Sequence, residues 1–403
     1  MDDAQDDGLT PAKRLRRRLR RLLAPVGPER FFAEHFGRKV LHLTGDPERG
    51  ADVATLAEFN RLLNMTSIWS DRTLKVVMDQ RGIRPETYCR PAVDADAPEV
   101  MRPVPSQVTR WIRRGASVVL NGVGELSDGL SETSAALRAA TGAGVQANLY
   151  FSRRGRQAFE PHFDTHEVFA LHCVGEKVWR IFANRAEVPT QRSVLADNAQ
   201  GTKHPPGQVV DEVLLRPGDL LYIPRGQFHD ALAGTDPTIH VSFAASMPSG
   251  ANVLRLLGEE GRLDTFLRQD LPLGLTPEAL AAASGRIGDR LAAMTRDPRF
   301  LGALASLLRA ALPPFDRYDI AGALAAPVAF RAERNLRLDL GKDGDGAAVG
   351  RFGRVAVPAA LTGALQWAIA AGDFDRARFA AALPALDGDA IDELVKLGLV
   401  DVI

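Results

Sequence analysis

Cysteine is scarce in this chain, since only Cys89 and Cys173 occur among its 403 residues. Two cysteines so far apart cannot build the disulfide framework of a small secreted domain. An excess of charge of either sign is also lacking, because Lys plus Arg and Asp plus Glu both total 50. No global charge therefore draws the protein to nucleic acid or to a membrane surface.

Long hydrophobic runs are absent as well, and no stretch approaches the roughly 20 apolar residues of a membrane span. The basic run near the N-terminus leads only into Leu22-Leu23-Ala24 before Pro25, which is too short for a secretory signal. We therefore expect a protein of the reducing cytoplasm. The hydrophobic content of 45% and charged content of 25% are typical of soluble globular proteins, and the length suggests two or three domains.

The most informative residues are His162-Phe163-Asp164 and, 67 positions after the first of them, His229. Residues two apart on a strand point to the same side, so His162 and Asp164 can share one metal while Phe163 packs on the other side. Two imidazoles and one carboxylate on one side of a metal are the ligand set of non-haem Fe(II) oxygenases. We therefore predict that His162, Asp164 and His229 form a catalytic metal centre.

The segment before His229 has the pattern of paired strands. Its two apolar runs are separated by the turn residues Pro217-Gly218-Asp219, and Pro224-Arg225-Gly226 ends the second run. The order strand, turn, strand, turn, ligand is thus predicted. Residues 218–229 also fit G-x5-P-x-G-x2-H, which resembles the second sequence motif of the cupins, double-stranded β-helix proteins with a metal at the barrel mouth. Ala233 stands where that motif often ends in Asn.

Other ligands are available nearby. His162 and His166 would share one face of a helix, as in zinc hydrolases. Pro161 and the β-rich residues 168–182 argue against a helix. We therefore expect His166 and Glu167 to support the ligands or line the entrance instead of binding the metal.

Residues from about 31 to 246 resemble the JmjC-type ribosomal oxygenases and their bacterial cupin-like relatives. Beyond the two motifs above, the resemblance rests on residues 31–39, 115–121, 148–150, 168–171 and 175–180. It implies an α+β chain built on a double-stranded β-helix, the cupin or JmjC jelly roll. It also implies hydroxylation of a protein side chain with Fe(II), O2 and 2-oxoglutarate, which is converted to succinate and carbon dioxide.

The same resemblance implies a binding site for 2-oxoglutarate. A basic residue of the family binds the distal carboxylate fifteen positions after the first ligand, where this chain has Lys177. A dianion in a largely apolar barrel needs such a cation. From the residues alone Arg180 also qualifies, although it faces the opposite side of the strand. The resemblance favours Lys177 and further implies co-substrate contacts from Asn148, Tyr150, His240 and Ser242.

Some residues depart from the family pattern. His172 stands where many relatives have Gln, Phe163 replaces a common Tyr, and residues 152–156 are unusually basic. These departures affect the substrate-facing surface more than the metal and co-substrate residues. A ribosomal protein is the favoured substrate, and a biosynthetic peptide or small molecule is the alternative. A non-catalytic cupin-like regulator that binds DNA is the third hypothesis.

We divide the sequence into four parts. Residues 1–24 form a basic N-terminal arm, for which a solvated helix or disordered segment is favoured over an RNA-binding one. Residues 25–250 form the catalytic domain, with the Pro-rich stretch 90–105 as a loop over the barrel mouth. Residues 251–315 have helical spacing, and the resemblance implies a dimerisation element that makes a homodimer. A helical cover for the barrel is the alternative.

Residues 316–403 resemble the winged-helix domain that ends chains of this family. They combine a predicted hairpin around residues 341–346 with helices near 358–371, 376–383 and 388–397. These residues include 13 acidic and 10 basic side chains, a net charge of −3. Phosphate binding needs the opposite sign, so we expect a protein-interaction or structural module without DNA binding.

Overall fold

The computed structural model describes residues 11–92, 100–153, 160–199, 204–271, 276–310, 329–333, 336–341, 345–350, 353–386 and 389–403. The chain divides into two compact units, Met1–Pro313 and Pro314–Ile403. The mixture of helix and sheet expected from the sequence is confirmed. Within the described residues, no helix is both long enough and apolar enough to cross a membrane.

The first unit contains ten described helices and thirteen described strands. Its helices are α1 Pro11–Leu22, α2 Pro28–Glu34, α3 Pro47–Ala51, α4 Leu56–Leu63, α5 Pro105–Arg113, α6 Asp128–Thr141, α7 Gln191–Ala199, α8 Gly250–Gly261, α9 Pro277–Met294 and α10 Pro298–Ala310. Its strands are β1 Leu41–Leu43, β2 Leu74–Met78, β3 Arg81–Gly82, β4 Cys89–Ala92, β5 Val100–Pro103, β6 Ser117–Asn121, β7 Gly144–Ser152, β8 Glu167–Val174, β9 Lys177–Arg185, β10 Val209–Leu215, β11 Leu220–Ile223, β12 Gln227–Ala233 and β13 Thr238–Ser246.

Two antiparallel sheets build the centre of this unit. The larger has the order β1-β11-β8-β13-β7-β6-β2-β3 and the smaller the order β10-β9-β12. Side chains of β8 and β11, among them Ala170 and Leu221, pack in one cluster with Trp179 of β9 and Leu215 of β10. The two sheets therefore face each other and enclose a barrel interior. The predicted order of strand, turn, strand, turn and ligand is confirmed in β10, β11 and β12.

The other face of the large sheet is covered by helices. Phe169 and Leu171 of β8 and Phe243 of β13 share a core cluster with Leu23 after α1 and Phe31 of α2. Seven of the eight residues of β8 are consequently buried. Because such a strand is apolar on both faces, its sequence does not alternate cleanly between polar and apolar residues.

The basic N-terminal run lies in α1, and α1 is packed along one side. Leu19 and Leu22 are buried, and the guanidinium of Arg18 donates to Thr133 Oγ1 at 2.9 Å. Arg18 also pairs with Asp52 at 3.3 Å. Residues 11–22 are therefore part of the folded unit, whereas residues 1–10 of the proposed arm lie outside the described residues.

Arg49 joins three segments at the edge of the large sheet. Its buried guanidinium donates to the carbonyl oxygens of Gly218 at 2.6 Å, Leu22 at 3.1 Å and Leu43 at 3.2 Å. These bonds connect α1, β1 and the turn before β11. Gly218 has a φ of +91°, and a Cβ there would lie 2.0 Å from the carbonyl oxygen of Asp46. The turn predicted at Pro217-Gly218-Asp219 thus requires glycine at its centre.

The Pro-rich stretch 90–105 is only partly a loop. Cys89–Ala92 pairs antiparallel with Val100–Pro103, and Pro105 begins α5. The prediction of one continuous loop over the barrel mouth is therefore wrong for these flanks. Residues 93–99 lie outside the described residues.

The second unit has its own hydrophobic core. Its strands are β14 Phe330–Ala332, β15 Arg337–Leu340, β16 Gly346–Gly350, β17 Gly353–Val357, β18 Asp373–Phe374 and β19 Val400–Val402, and its helices are α11 Ala359–Ala371, α12 Arg376–Ala382 and α13 Asp389–Lys396. The sheets have the orders β18-β14-β19 and β15-β16-β17. The predicted hairpin corresponds to β15 and β16, although residues 342–344 at its tip lie outside the described residues.

We expect Arg49→Met to lower the free energy of unfolding by about 3 kcal/mol, because it removes a buried charged donor from several buried carbonyl oxygens. Arg30→Met is the matched control, since Arg30 forms an exposed i,i+4 pair with Glu34. For the control we expect the free energy of unfolding to fall by less than about 0.5 kcal/mol. Chemical denaturation measures both values, and equal losses would contradict a structural role for Arg49.

Candidate metal centre and the barrel interior

The two predicted histidine ligands lie opposite each other on paired backbone. His162 N donates to His229 O at 3.0 Å, and His229 N donates to His162 O at 2.8 Å. Asp164 is the third member of the cluster, with Oδ2 3.6 Å from Nε2 of His229. One ligand atom from each residue lies within 4.8 Å of the others. The chain therefore brings together the three side chains that the sequence analysis selected.

The local structure of this cluster differs from the expected strand. His162 forms an isolated bridge with His229, and Asp164 has no regular secondary structure. A backbone bond from Gly226 N to Asp164 O at 2.9 Å holds Asp164 instead. Gly226 has a φ of +86°, and a Cβ there would lie 2.2 Å from Ala186 O. The glycine of the second motif thus makes the turn that holds the carboxylate ligand.

Backbone carbonyls orient both imidazoles. Nδ1 of His162 lies 2.7 Å from Glu160 O, and Nδ1 of His229 lies 3.0 Å from Gln227 O. Carbonyls accept only, so each Nδ1 carries the hydrogen and each Nε2 keeps its lone pair for a metal. Burial, reinforced by nearby His162, lowers the pKa of His229 to about 4. The imidazole of His229 is therefore neutral at neutral pH, as a ligand must be.

His166 and Glu167 occupy different environments. Nε2 of His166 lies 3.9 Å from Asp164 Oδ1, so His166 stands beside the cluster as expected. Glu167 instead accepts a hydrogen bond from the hydroxyl of Tyr222, on the helix-covered side of β8. The prediction that Glu167 lines the entrance is therefore wrong, because Glu167 is a buried residue of the neighbouring core.

Lys177 points into the barrel interior. Its side chain is 3% exposed, and Nζ lies 3.5 Å from Nδ1 of His240. Arg180 pairs instead with the carboxylate of Asp230 and stays partly exposed. The two cations therefore face opposite sides of β9, as the strand parity predicted. Burial lowers the pKa of Lys177 to about 7.

Trp179 links the lysine to the metal ligands and was missed in the sequence analysis. Its ring centroid lies 5.7 Å from that of His229 and 5.4 Å from that of His240. Trp179 shares strand parity with Lys177, which is a signal that could have identified it. The ring thus lines the barrel interior beside both the candidate metal centre and His240, the neighbour of Lys177.

The remaining predicted co-substrate residues lie on neighbouring strands. In the register of β7 and β13, Tyr150 is opposite His240 and Asn148 is opposite Ser242. The rings of Tyr150 and His240 stack at 4.6 Å between centroids. Burial, together with the charge of Asp164, raises the pKa of the Tyr150 phenol. Oδ1 of Asn148 also accepts a hydrogen bond from Gly122 N at 3.1 Å, so part of the hydrogen-bonding capacity of this amide is already used.

The chain is similar to one protein family and to several curated proteins. The model of the JmjC domain matches residues 131–253, which include the three candidate ligands and Lys177. Ribosomal oxygenase 1 of Gallus gallus is 31% identical over 211 residues, which are 52% of this chain and 33% of that protein. The bifunctional lysine-specific demethylase and histidyl-hydroxylase NO66 of Drosophila persimilis is 28% identical over 269 residues, 64% of this chain and 37% of that protein. The chain thus spans about a third of the length of these two curated relatives.

A solved structure is also similar. The Escherichia coli ribosomal oxygenase YcfD aligns with 93% of this chain and 98% of its own, with 16% identity and a TM-score of 0.48. The family match and the curated relatives confirm the resemblance found in the sequence: residues 131–253 are similar to the JmjC domain, and the chain is similar to the ribosomal oxygenases.

Proposed function

We propose that this protein is an Fe(II)- and 2-oxoglutarate-dependent oxygenase that hydroxylates a side chain of a ribosomal protein in the cytoplasm. The convergence of His162, Asp164 and His229 within 4.8 Å carries the proposal. Two nitrogen donors and one carboxylate suit Fe(II) and leave other coordination positions free. The JmjC match over the same residues supports this reaction class.

The chain's own side chains hold the reactants. His162 and His229 present Nε2 because their Nδ1 atoms are bound to backbone carbonyls, and Asp164 adds a negative charge. Bound Fe(II) would supply the oxidation, in which O2 and 2-oxoglutarate give succinate, carbon dioxide and a hydroxylated C–H bond. Trp179 and the apolar barrel exclude water from this site.

Lys177 is the group that fits the distal carboxylate of 2-oxoglutarate. A fully buried lysine is costly unless it meets an anion, and burial is the cause that lowers its pKa. The distal carboxylate of the co-substrate would supply an anionic partner through a charge-assisted hydrogen bond. Asn148, Tyr150, His240 and Ser242 complete the proposed co-substrate pocket from β7 and β13.

The similarity to ribosomal oxygenase 1 supports a ribosomal protein as substrate. We further propose a homodimer formed through residues 251–315, where several large apolar side chains are exposed, including Leu254 at 70% and Leu263 at 74%. Residues 316–403 are proposed as a winged-helix-like module that contacts protein. Their net charge of −3 supports this over DNA binding.

We expect Asp164→Ala to weaken Mn(II) or Co(II) binding by more than about 100-fold, because it removes one of three ligands and the only charged one. Asp211→Ala is the control, since Asp211 is an exposed residue of β10. Isothermal titration calorimetry of the full chain measures both affinities. Equal affinities of the two variants would show that the metal binds elsewhere.

We expect Lys177→Met to weaken 2-oxoglutarate binding to the metal-loaded protein by about 100-fold or more, because a buried cation is lost from the carboxylate site. Lys75→Met serves as the matched control, since Lys75 is exposed on β2. Co-substrate titration of both variants gives the comparison. Unchanged affinity in Lys177→Met would place the carboxylate elsewhere.

The proposed reaction is tested with the purified protein, Fe(II), ascorbate, 2-oxoglutarate and ribosomal proteins. We expect substrate-dependent succinate and a mass increase of one oxygen atom on one ribosomal protein, and the same mass to be missing from cells without this gene. Asp164→Ala is expected to give neither product. Unchanged ribosomal masses together with turnover on another fraction would favour a peptide or small-molecule substrate, and no turnover with any fraction would contradict an oxygenase.

A further inference from the structure

Two neutral imidazoles share the barrel interior with the buried amine of Lys177. His240 Nδ1 is 3.5 Å from Nζ, and His172 on β8 lies directly opposite His240 in the sheet register. All three side chains are at most 3% exposed. Burial is the first cause that lowers the pKa of each histidine, to about 4 for His172, and the charge of Lys177 adds to it. Both rings are therefore uncharged at neutral pH.

His172 has an acceptor atom without a donor. Its Nε2 lies 2.9 Å from Gly175 O, so Nε2 carries the hydrogen and Nδ1 has a lone pair. Nδ1 is buried and has no hydrogen-bond partner among the described residues. Because buried polar atoms are nearly always bonded, this lone pair is available to a donor that enters the site.

The acidic side chains near Lys177, His172 and His240 form hydrogen bonds and ion pairs with other groups. The carboxylate of Asp219 accepts from Gly45 N at 3.0 Å and Arg216 N at 3.0 Å, and lies 3.2 Å from His42 Nε2. Glu176, next to Lys177 in sequence, pairs with Arg216 at 3.2 Å. On the β7 side the Tyr150 ring stacks on His240, and burial together with the charge of Asp164 raises the pKa of its phenol. Burial alone lowers the pKa of Lys177, and no carboxylate in the described part of the chain offsets this effect.

We propose that His172 and His240 are positioning residues, which accept two N–H groups of protonated Lys177 and direct the third to the distal carboxylate of 2-oxoglutarate, so that the co-substrate binds together with one proton. This inference rests on the proposed function. The proton comes from solvent and adds to the lysine amine, and no covalent bond of the co-substrate changes. Three N–H donors then meet three acceptors, and Nδ1 of His172 gains its partner.

The pH dependence has a definite sign. Below pH 7 Lys177 is already charged, so co-substrate binding takes up little proton. Above pH 7 the free site holds the neutral amine, and each unit of pH weakens binding about tenfold until the pKa of the complex is reached. Proton uptake per ligand is therefore expected to rise with pH, from little well below the pKa of Lys177 to nearly one proton well above it.

Calorimetric titration of the Mn(II)-loaded full chain with 2-oxoglutarate, in two buffers of different ionisation enthalpy, measures this uptake directly. The control ligand is 2-oxopentanoate, which has the same chain length and no distal carboxylate. We expect pH-dependent uptake with 2-oxoglutarate and none with the control. Equal uptake with both ligands would assign the proton to the metal site and overturn the inference.

Two kinds of variant separate a positioning role of the histidine from a general loss of structure. Lys177→Arg carries a permanent charge, so its dissociation constant is expected to be independent of pH from 6 to 9. His172→Leu removes an acceptor and is expected to weaken binding about tenfold at pH 7 while raising proton uptake toward one proton per ligand. His172→Gln retains an acceptor oxygen and is expected to restore both values to nearly those of the unaltered chain.

The outcomes distinguish this inference from the proposed function. Absence of 2-oxoglutarate binding at every pH would contradict the proposed function itself. Binding with a constant dissociation constant and no proton uptake would leave the proposed function intact and overturn the inference. If Lys177→Arg does not fold, the pair His172→Leu and His172→Gln decides, and identical behaviour of these two would overturn the role of His172.

Discussion

The reciprocal backbone hydrogen bonds between His162 and His229 are the contact on which the candidate metal centre depends. They join the connection before β8 to strand β12 across 67 residues of sequence. Closing so long a loop costs entropy, which the folded sheets between the two positions offset. Since β12 is held by β9, and Trp179 of β9 stacks on His229, the barrel fixes the second imidazole before a metal binds.

A single physical condition, burial between two sheets, sets the ionisation of the site. It lowers the pKa of His229 to about 4 and keeps that imidazole neutral as a ligand. It lowers the pKa of Lys177 to about 7, which makes the lysine a group that gains from a carboxylate. Both effects follow from the cost of an unpaired charge in a medium of low dielectric constant.

Part of the candidate site could be predicted because its rules are local. The alternation of side chains along a strand separates Lys177 from Arg180, and the structure shows the first buried and the second paired with Asp230. The turn residues at 217–219 predict the break between β10 and β11. The same alternation gave a wrong local structure for Asp164, because a backbone bond from Gly226 holds that residue outside any strand. Glu167 was misplaced because no local signal shows that its partner is Tyr222.

By itself the sequence determined the chemistry that is available: two histidines and an aspartate as metal ligands, one lysine of the right parity for an anion, and glycines where turns reverse the chain. The tertiary structure alone decided which groups share the barrel interior with that lysine, namely His172, His240 and Trp179, and that no carboxylate of the described residues neutralises it. The physical reason is that the side to which a side chain points follows from its position along its own strand, which the sequence gives. Burial and long-range pairing depend instead on which strands become adjacent in the folded sheets.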